Sequence, residues 1–402
     1  MTHPLDTVTE RRLSRRALDI AESATLSVAA QAQKMRAEGI HVVSLSTGEP
    51  DFPTPEPIKQ AGIEAINANF TRYTQSEGIL ELREAIARKF TEQNAIPTDA
   101  ANVLVSSGGK HSIFNALTAI CDPGDEVIIP APYWVSYPEM VRLVGAEPVI
   151  VATSVADRYK LSPALLSAAI TPRTRAFIIN SPSNPTGVIY SPDELRALAE
   201  VIASSGAYLI SDELYEKIIY DGNTHFSLGS LPSLRETAIT VNGVSKAYAM
   251  TGWRIGYMTG PRDVIAAAAK IQSQVTSNPS SISQKAALAA ITGGTADVER
   301  MARAFERRRD LICELLGAIP DVEFPRPDGA FYIFMDVSAY YTAEVTDSLA
   351  LSDYLLRRHH VATVAGCAFG DDSAIRLSYA CSEEDIREGV ARIARGLEEL
   401  KG

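Results

Sequence analysis

The sequence is poor in the residues that build disulfide and metal sites. It has 4 cysteines and 6 histidines in 402 residues. Cys121, Cys313, Cys367 and Cys381 form no CxxC pair. In a chain this long they are expected to be free thiols in a reducing, cytoplasmic compartment. The histidines show no HExxH or other ligand spacing, so no metal is expected. Basic charge is also short: 38 Lys plus Arg face 49 Asp plus Glu, a formal net charge of -11. That balance argues against nucleic acid or an anionic membrane as the main partner. No apolar run approaches the roughly 18 residues of a membrane span. Arg11, Arg12, Arg15 and Arg16 have no apolar segment after them, and Asp6, Glu10 and Asp19 interrupt any acid-poor leader. The start therefore reads as an arm and first helix of the mature protein. Repeats and low-complexity tracts are missing as well.

What is present is an ordinary globular composition, 46% hydrophobic and 22% charged, with ample material for a core. At roughly 150 residues per domain, the length suggests two or three domains. Residues 9–37 read as helix, with Val28, Gln31-Ala32 and Met35 at helical spacing. Val42-Val43-Ser44-Leu45 is a short strand, and helices are expected over 56–68 and 79–93. From Val103 the pattern becomes strand, loop, helix, repeated. Apolar runs at 103–106, 127–129, 176–179, 208–210 and 239–241 read as buried strands. Between them Ser191 and Pro192 open a helix as N-cap and first residue. Near-continuous apolar strands alternating with helices predict an α/β fold, a mostly parallel sheet covered on both faces. A charged helix over 297–316, strands near 329–336 and 374–379, and a last helix opened by Ser382 predict a smaller α+β unit. The expected division is 1–50 as arm and first part of the small domain, 51–295 as the large domain, and 296–402 as the small domain.

Open parallel sheets bind ligands outside the carboxyl ends of their strands. Four ends, read as adjoining, carry chemistry here. They deliver Gly108-Gly109-Lys110, Asn184-Pro185-Thr186-Gly187, Asp212 with Tyr215, and Ser245 with Lys246 after an Asn242-Gly243 turn signal. A glycine pair before a helix suits an anion, because backbone N–H groups and the helix dipole both face it. No P-loop or GxGxxG pattern is present there. A lysine among small and apolar neighbours loses basicity when desolvated. Lys246 is thus a candidate Schiff-base nucleophile. Alone, each feature has a plainer reading: a surface lysine, a capping carboxylate, a turn asparagine.

Together, SPSNPTG at 181–187, SDELYEK at 211–217 and NGVSKAYAMTGWRIGY at 242–257 resemble the fold-type I aminotransferases that use pyridoxal 5′-phosphate (PLP). Within them the chain is most similar to the class-I group typified by bacterial aspartate aminotransferase. STGEPDF at 46–52, YTQSEGILELREAIA at 73–87, SSGGKHSIFNAL at 106–117 and APYWVSYPEM at 131–140 add to the likeness, which runs from near Leu13 to the C-terminus.

The resemblance implies a large PLP-binding domain, a homodimer with shared active sites, and ping-pong transfer of an amino group from an L-amino acid to a 2-oxo acid. Lys246 would hold the cofactor as a Schiff base and later shuttle the proton. Asp212 would pair with the pyridine nitrogen. Tyr215 and Asn184 would hydrogen-bond the ring's phenolic oxygen, and Trp134 would stack on its face. Gly108, Gly109, Lys110, Ser245 and Arg254 would hold the phosphate, joined by Tyr73 from the partner subunit. Arg376 would grip the substrate α-carboxylate as a fork, helped by the Gly48 backbone. Strand alternation sets Arg376 opposite Ile375 and Leu377.

Side-chain selectivity depends on Lys110. Ser273 stands where one subgroup has an arginine for the distal carboxylate, whereas the subgroup closest in wording uses the lysine of the GGK stretch. Aspartate and 2-oxoglutarate are therefore the expected pair. The alternatives are prephenate, aromatic or broad specificity, or a PLP lyase, decarboxylase or synthase on the same fold. The segment at 21–23, which closes over the site in relatives, carries Ala21. A non-enzymatic PLP regulator would need a DNA-binding module, and about fifty residues plus an acidic charge do not provide one.

Overall fold

A computed structural model describes residues 13–14, 17–18, 20–22 and 24–402. Residues 17–18 are helical, residues 20–22 are not, and the first helix described over its whole length is Ala24–Ala37. The helix expected over 9–37 is thus interrupted at 20–22, and much of its first part lies outside the described residues. Strand β1 (Val43–Ser44) follows.

The large sheet comes next, with strands β2 (Val103–Ser106), β3 (Glu126–Ala131), β4 (Glu147–Ala152), β5 (Thr174–Asn180), β6 (Tyr208–Asp212), β7 (Ala238–Gly243) and β8 (Gly256–Thr259). Their order is β2-β8-β7-β6-β5-β3-β4. All neighbours run parallel except β8, which is antiparallel to both β2 and β7. The sheet is mostly parallel, as the apolar strands imply, but the four ligand-bearing ends do not all adjoin. β8 separates β2 from β7. Asn242-Gly243 is also not a turn: the strand runs through both, because they pair with Tyr257 and Gly256 across the antiparallel ladder.

Alternate strand residues feed two different cores. Val127, Ile129, Ile178, Ile210 and Ile239 pack on one side. Ile128, Phe177, Ile179, Leu209 and Ala238 pack on the other. Such double burial is why the strands read as continuous apolar runs. Helices cover both faces. One of them, Pro192–Ser205, opens with a full capping box between Ser191 and Glu194 and closes on Gly206 in the left-handed region.

The remaining elements form a second assembly. Strands β9 (Tyr332–Asp336), β10 (Val361–Ala362), β11 (Val364–Ala365) and β12 (Ala374–Ser378) follow the long helix Ala296–Leu316. β11, β12 and β9 make an antiparallel sheet with β12 central, and β10 pairs in parallel with β1. Helix Glu383–Lys401 buries Ile386, Val390, Ile393 and Leu397 against it. Ala32 and Val42 pack on Leu356 and Ala362, which joins the start of the described chain to this assembly. No helix among the described residues is long and apolar enough to cross a membrane.

Candidate active site

The carboxyl ends of β5, β6 and β7 open into a cavity of about 440 Å³. Lys246 reaches it from the turn after β7. Its Nζ donates to the Gly48 carbonyl at 2.5 Å, so two segments distant in sequence meet at the amine. Burial pushes this amine down to about 8, countered by the Glu49 carboxylate and reinforced by Arg376 and Arg254.

Asp212 ends β6 and is 5% exposed. Its Oδ2 accepts from the Tyr137 hydroxyl at 2.6 Å, and its Oδ1 accepts from the Leu214 N–H at 3.2 Å. Burial pushes the carboxyl up to about 6, and these two hydrogen bonds oppose the rise. Among the described residues, no cation is in hydrogen-bonding contact with Asp212. That is a costly arrangement unless a cationic group is brought to it.

Arg376 on β12 is fully buried, with Nη1 donating to Asn184 Oδ1 at 3.0 Å and Nη2 to the Ser46 carbonyl at 2.8 Å. Its Nε is buried with no partner among the described residues. The guanidinium stacks on Tyr332 and Phe369 at 4.6 and 4.9 Å, on the face away from Ile375 and Leu377, which belong to the apolar core. Asn184 is held in turn: its N–H donates to Asn180 Oδ1 at 2.8 Å, while Asn180 Nδ2 donates to the Asp212 carbonyl.

The antiparallel β8 shapes the anion end. A Cβ at Gly256, the first residue of β8, would lie 2.1 Å from the Gly109 nitrogen. A Cβ at Gly108, where φ is +95°, would lie 2.4 Å from Arg254 Nη2. Missing side chains at these two points let the start of helix Gly109–Ile120 approach the strand and the Arg254 guanidinium. Arg254 is itself in the left-handed region at φ +56°, a conformation that costs energy for a residue with a Cβ. It donates to the Thr251 and Ser107 carbonyls.

Gly48, Gly109, Lys110, Trp134, Asn184, Asp212, Tyr215, Ser245, Lys246, Arg254 and Arg376, all singled out in the sequence, line this one cavity. Gly108 lies just behind the wall, against Arg254. Gly48 presents its carbonyl to Lys246. Lys110 Nζ lies 5.1 Å from the Trp134 ring centre, and burial and Arg254 lower its basicity. Tyr73 is not in the cavity of its own chain and is 90% exposed. The structure adds Tyr137, Asn180 and Tyr332, which the sequence did not reveal. Tyr137 lies three residues beyond Trp134, and their rings meet edge-on at 5.3 Å. From the first described helix come Thr25, Leu26 and Ala29. Among the described residues that line the cavity, four are cationic and two are carboxylates. In a chain of net charge -11, that local excess focuses anionic ligands.

Behind β6 lies a second charged cluster, Glu213, Glu216 and His225. Its carboxylates are already engaged: Lys89 pairs with Glu216, Asn94 donates to both glutamates, and Ser211, Ser227 and His225 meet Glu213. It is an ion-pair network beneath the site, outside the cavity lining.

A family model described as aminotransferase class I and II matches residues 40–393. A bifunctional aspartate aminotransferase and glutamate/aspartate-prephenate aminotransferase from Petunia hybrida is 48% identical, covering 97% of this chain and 83% of that one. An aspartate aminotransferase from Geobacillus stearothermophilus is 44% identical over 96% of this chain and 99% of its own. The solved structure of aspartate aminotransferase from Thermus thermophilus with maleate superposes with a TM-score of 0.92 at 45% identity, covering 96% of this chain and 100% of that one.

Proposed function

Because the chain belongs to the class I and II aminotransferase family, and is an aminotransferase, we propose that it works with PLP and that its preferred pair is L-aspartate and 2-oxoglutarate. The carrying observation is an amine at about 8, Lys246, sharing one cavity with the buried carboxylate Asp212 and the buried guanidinium Arg376.

The residues fit the cofactor. The side-chain-free approach at Gly108 and Gly256 leaves backbone N–H groups and Arg254 for a phosphate. Asp212 lacks a cation, and a protonated pyridine nitrogen would supply one. Bound there, PLP supplies an aldehyde that condenses with amines and a ring that draws electron density from the substrate Cα. Lys246 is the base within reach of that region, and its depressed basicity leaves a useful neutral fraction near neutral pH. Arg376 orients the α-carboxylate through its fork. Lys110 would meet the distal carboxylate of a four- or five-carbon diacid, and Trp134 would cover the ring face; both line the cavity. Tyr215 and Asn184 are donors for the phenolic oxygen.

The cavity is also lined by Leu26 and Ala29, apolar surface suited to a ring-bearing substrate. With the prephenate in the Petunia relative's name, this favours a second reading in which prephenate is accepted as well. We further assign Tyr73 to the cavity of a second copy. It is exposed here, and Ile63, Ile66 and Leu80 nearby in sequence are exposed apolar residues as well, which supports a homodimer. Four unpaired cysteines fit a cytoplasmic setting.

The test is a half-reaction. PLP-loaded protein given L-aspartate alone should lose its visible band, stop, and recover the band when 2-oxoglutarate is added. Continuous turnover with the amino acid alone, or no spectral change, would overturn the proposal.

A further inference from the structure

We propose that Tyr332 is a positioning residue: its hydroxyl fixes the direction of the Tyr215 proton, and its ring backs the Arg376 guanidinium. This rests on the PLP reading above and goes beyond it. Tyr332 is on β9, 1% exposed, and lines the cavity. Its hydroxyl lies 2.8 Å from that of Tyr215. Only one proton can lie between two such oxygens, so one phenol donates and the other accepts.

The surroundings choose which. The Arg376 guanidinium stands 4.6 Å from the Tyr332 ring centre. A cation over a phenol draws density from it and strengthens it as a donor. Arg376 is the largest influence opposing burial at the Tyr332 phenol, whereas at Tyr215 it ranks behind burial and the Tyr332 hydroxyl, which push that phenol well above the ordinary range, and the Lys246 amine stands farther off, 6.0 Å from the Tyr215 ring centre. Tyr332 therefore donates, Tyr215 accepts, and the Tyr215 proton is left to point into the cavity. Space allows this arrangement because position 48 is glycine. A Cβ there would lie 3.0 Å from the Tyr332 hydroxyl oxygen.

The two parts of Tyr332 serve different ends and separate by substitution. Tyr332→Phe keeps the ring under Arg376 and removes the hydroxyl. Tyr332→Leu removes both. In Tyr332→Phe the Tyr215 hydroxyl loses its polarising partner and becomes a weaker donor to the cofactor's phenolic oxygen. That oxygen then holds the proton on the Lys246 nitrogen more tightly. The pH midpoint of the visible band of PLP-loaded protein should rise by about 0.1–0.7 unit, as a charge-assisted hydrogen bond loses a tenth to a third of its strength. A roughly 30-fold rise in KM for the amino donor should be confined to Tyr332→Leu, the loss expected for a desolvated cation–π contact. Melting curves of both cofactor-free variants check that they fold. A midpoint in Tyr332→Phe identical to that of the unaltered protein would overturn the proposal, as would a KM rise as large as in Tyr332→Leu. If the unaltered protein shows no pH-dependent visible band with PLP, the cofactor reading falls and takes this assignment with it.

Discussion

Tyr137→Phe removes one hydroxyl from beneath the cavity while keeping the ring. That hydroxyl donates to Asp212 at 2.6 Å and opposes the burial that brings the carboxyl to about 6. A hydrogen bond to a charged buried group contributes about 1.5–3 kcal/mol, and one pKa unit is about 1.4 kcal/mol. The Asp212 carboxyl of the variant should therefore titrate about one to two units higher. At neutral pH its ionised fraction should fall from about nine-tenths to about half or less. The Leu214 N–H remains on the other oxygen, so the side chain stays in place while its charge is lost. A neutral Asp212 cannot hold a cationic ring nitrogen. PLP affinity of the cofactor-free protein at neutral pH should drop by roughly 2- to 10-fold, in step with that fraction. The acid limb of the binding curve should also move up by the same one to two units. Absorbance titrations of PLP into both proteins across the range from about pH 5 to about pH 9 measure this. Coincident curves would refute the claim that the Tyr137 hydroxyl keeps Asp212 charged.

Arg376→Gln removes a buried cationic fork and should lower kcat/KM for L-aspartate by about 100-fold or more, corresponding to about 3 kcal/mol. PLP affinity should change little, since Arg376 is assigned to substrate, and steady-state kinetics beside a cofactor titration check both halves. Lys89→Met leaves the Glu216 charge buried beside Glu213 without its ammonium partner, and should lower unfolding free energy in urea by about 3–5 kcal/mol. In the unaltered protein the folded-state Glu216 is depressed to about 2 from 4.5. Its contribution is thus full above about 4.5 and lost as pH falls through about 2. His225 behaves oppositely: Glu213 and Glu216 raise it against burial and Lys89. Its contribution is present below the ordinary imidazole value and fades as pH rises through the raised one. Urea melts at several pH values separate the two.

The strands of the large sheet were legible because double burial makes them continuous apolar runs, and each ends at a polar loop. The loops after them could be picked out for the same reason, but the roles of their residues came from the joint motifs and the family resemblance. β4 was missed: Pro148 and the exposed Glu147 break its pattern, which an edge strand tolerates. β8 was hidden because four residues beginning with Gly256 show no alternation, and its antiparallel entry reversed the meaning of Asn242-Gly243. Tyr137 and Tyr332 left no local signal, since their hydroxyl partners lie 75 and 117 residues away in sequence. Arg376 was singled out through the family resemblance, since an arginine in a strand reads by itself as a surface residue. That its Nε would be buried and unpaired needed the packing of β12 against β9 and β11. Selectivity was least legible, because Thr25, Leu26 and Ala29 reach the cavity only through the way the first described helix packs.

Borohydride reduction of the PLP-loaded protein, then proteolysis and mass spectrometry, tests the amine at the centre of the account. The phosphopyridoxyl group should be found on the peptide carrying Lys246, and Lys246→Ala should carry no label. Modification at Lys110 or any other lysine in place of Lys246, or a protein that takes up no label at all, would contradict it.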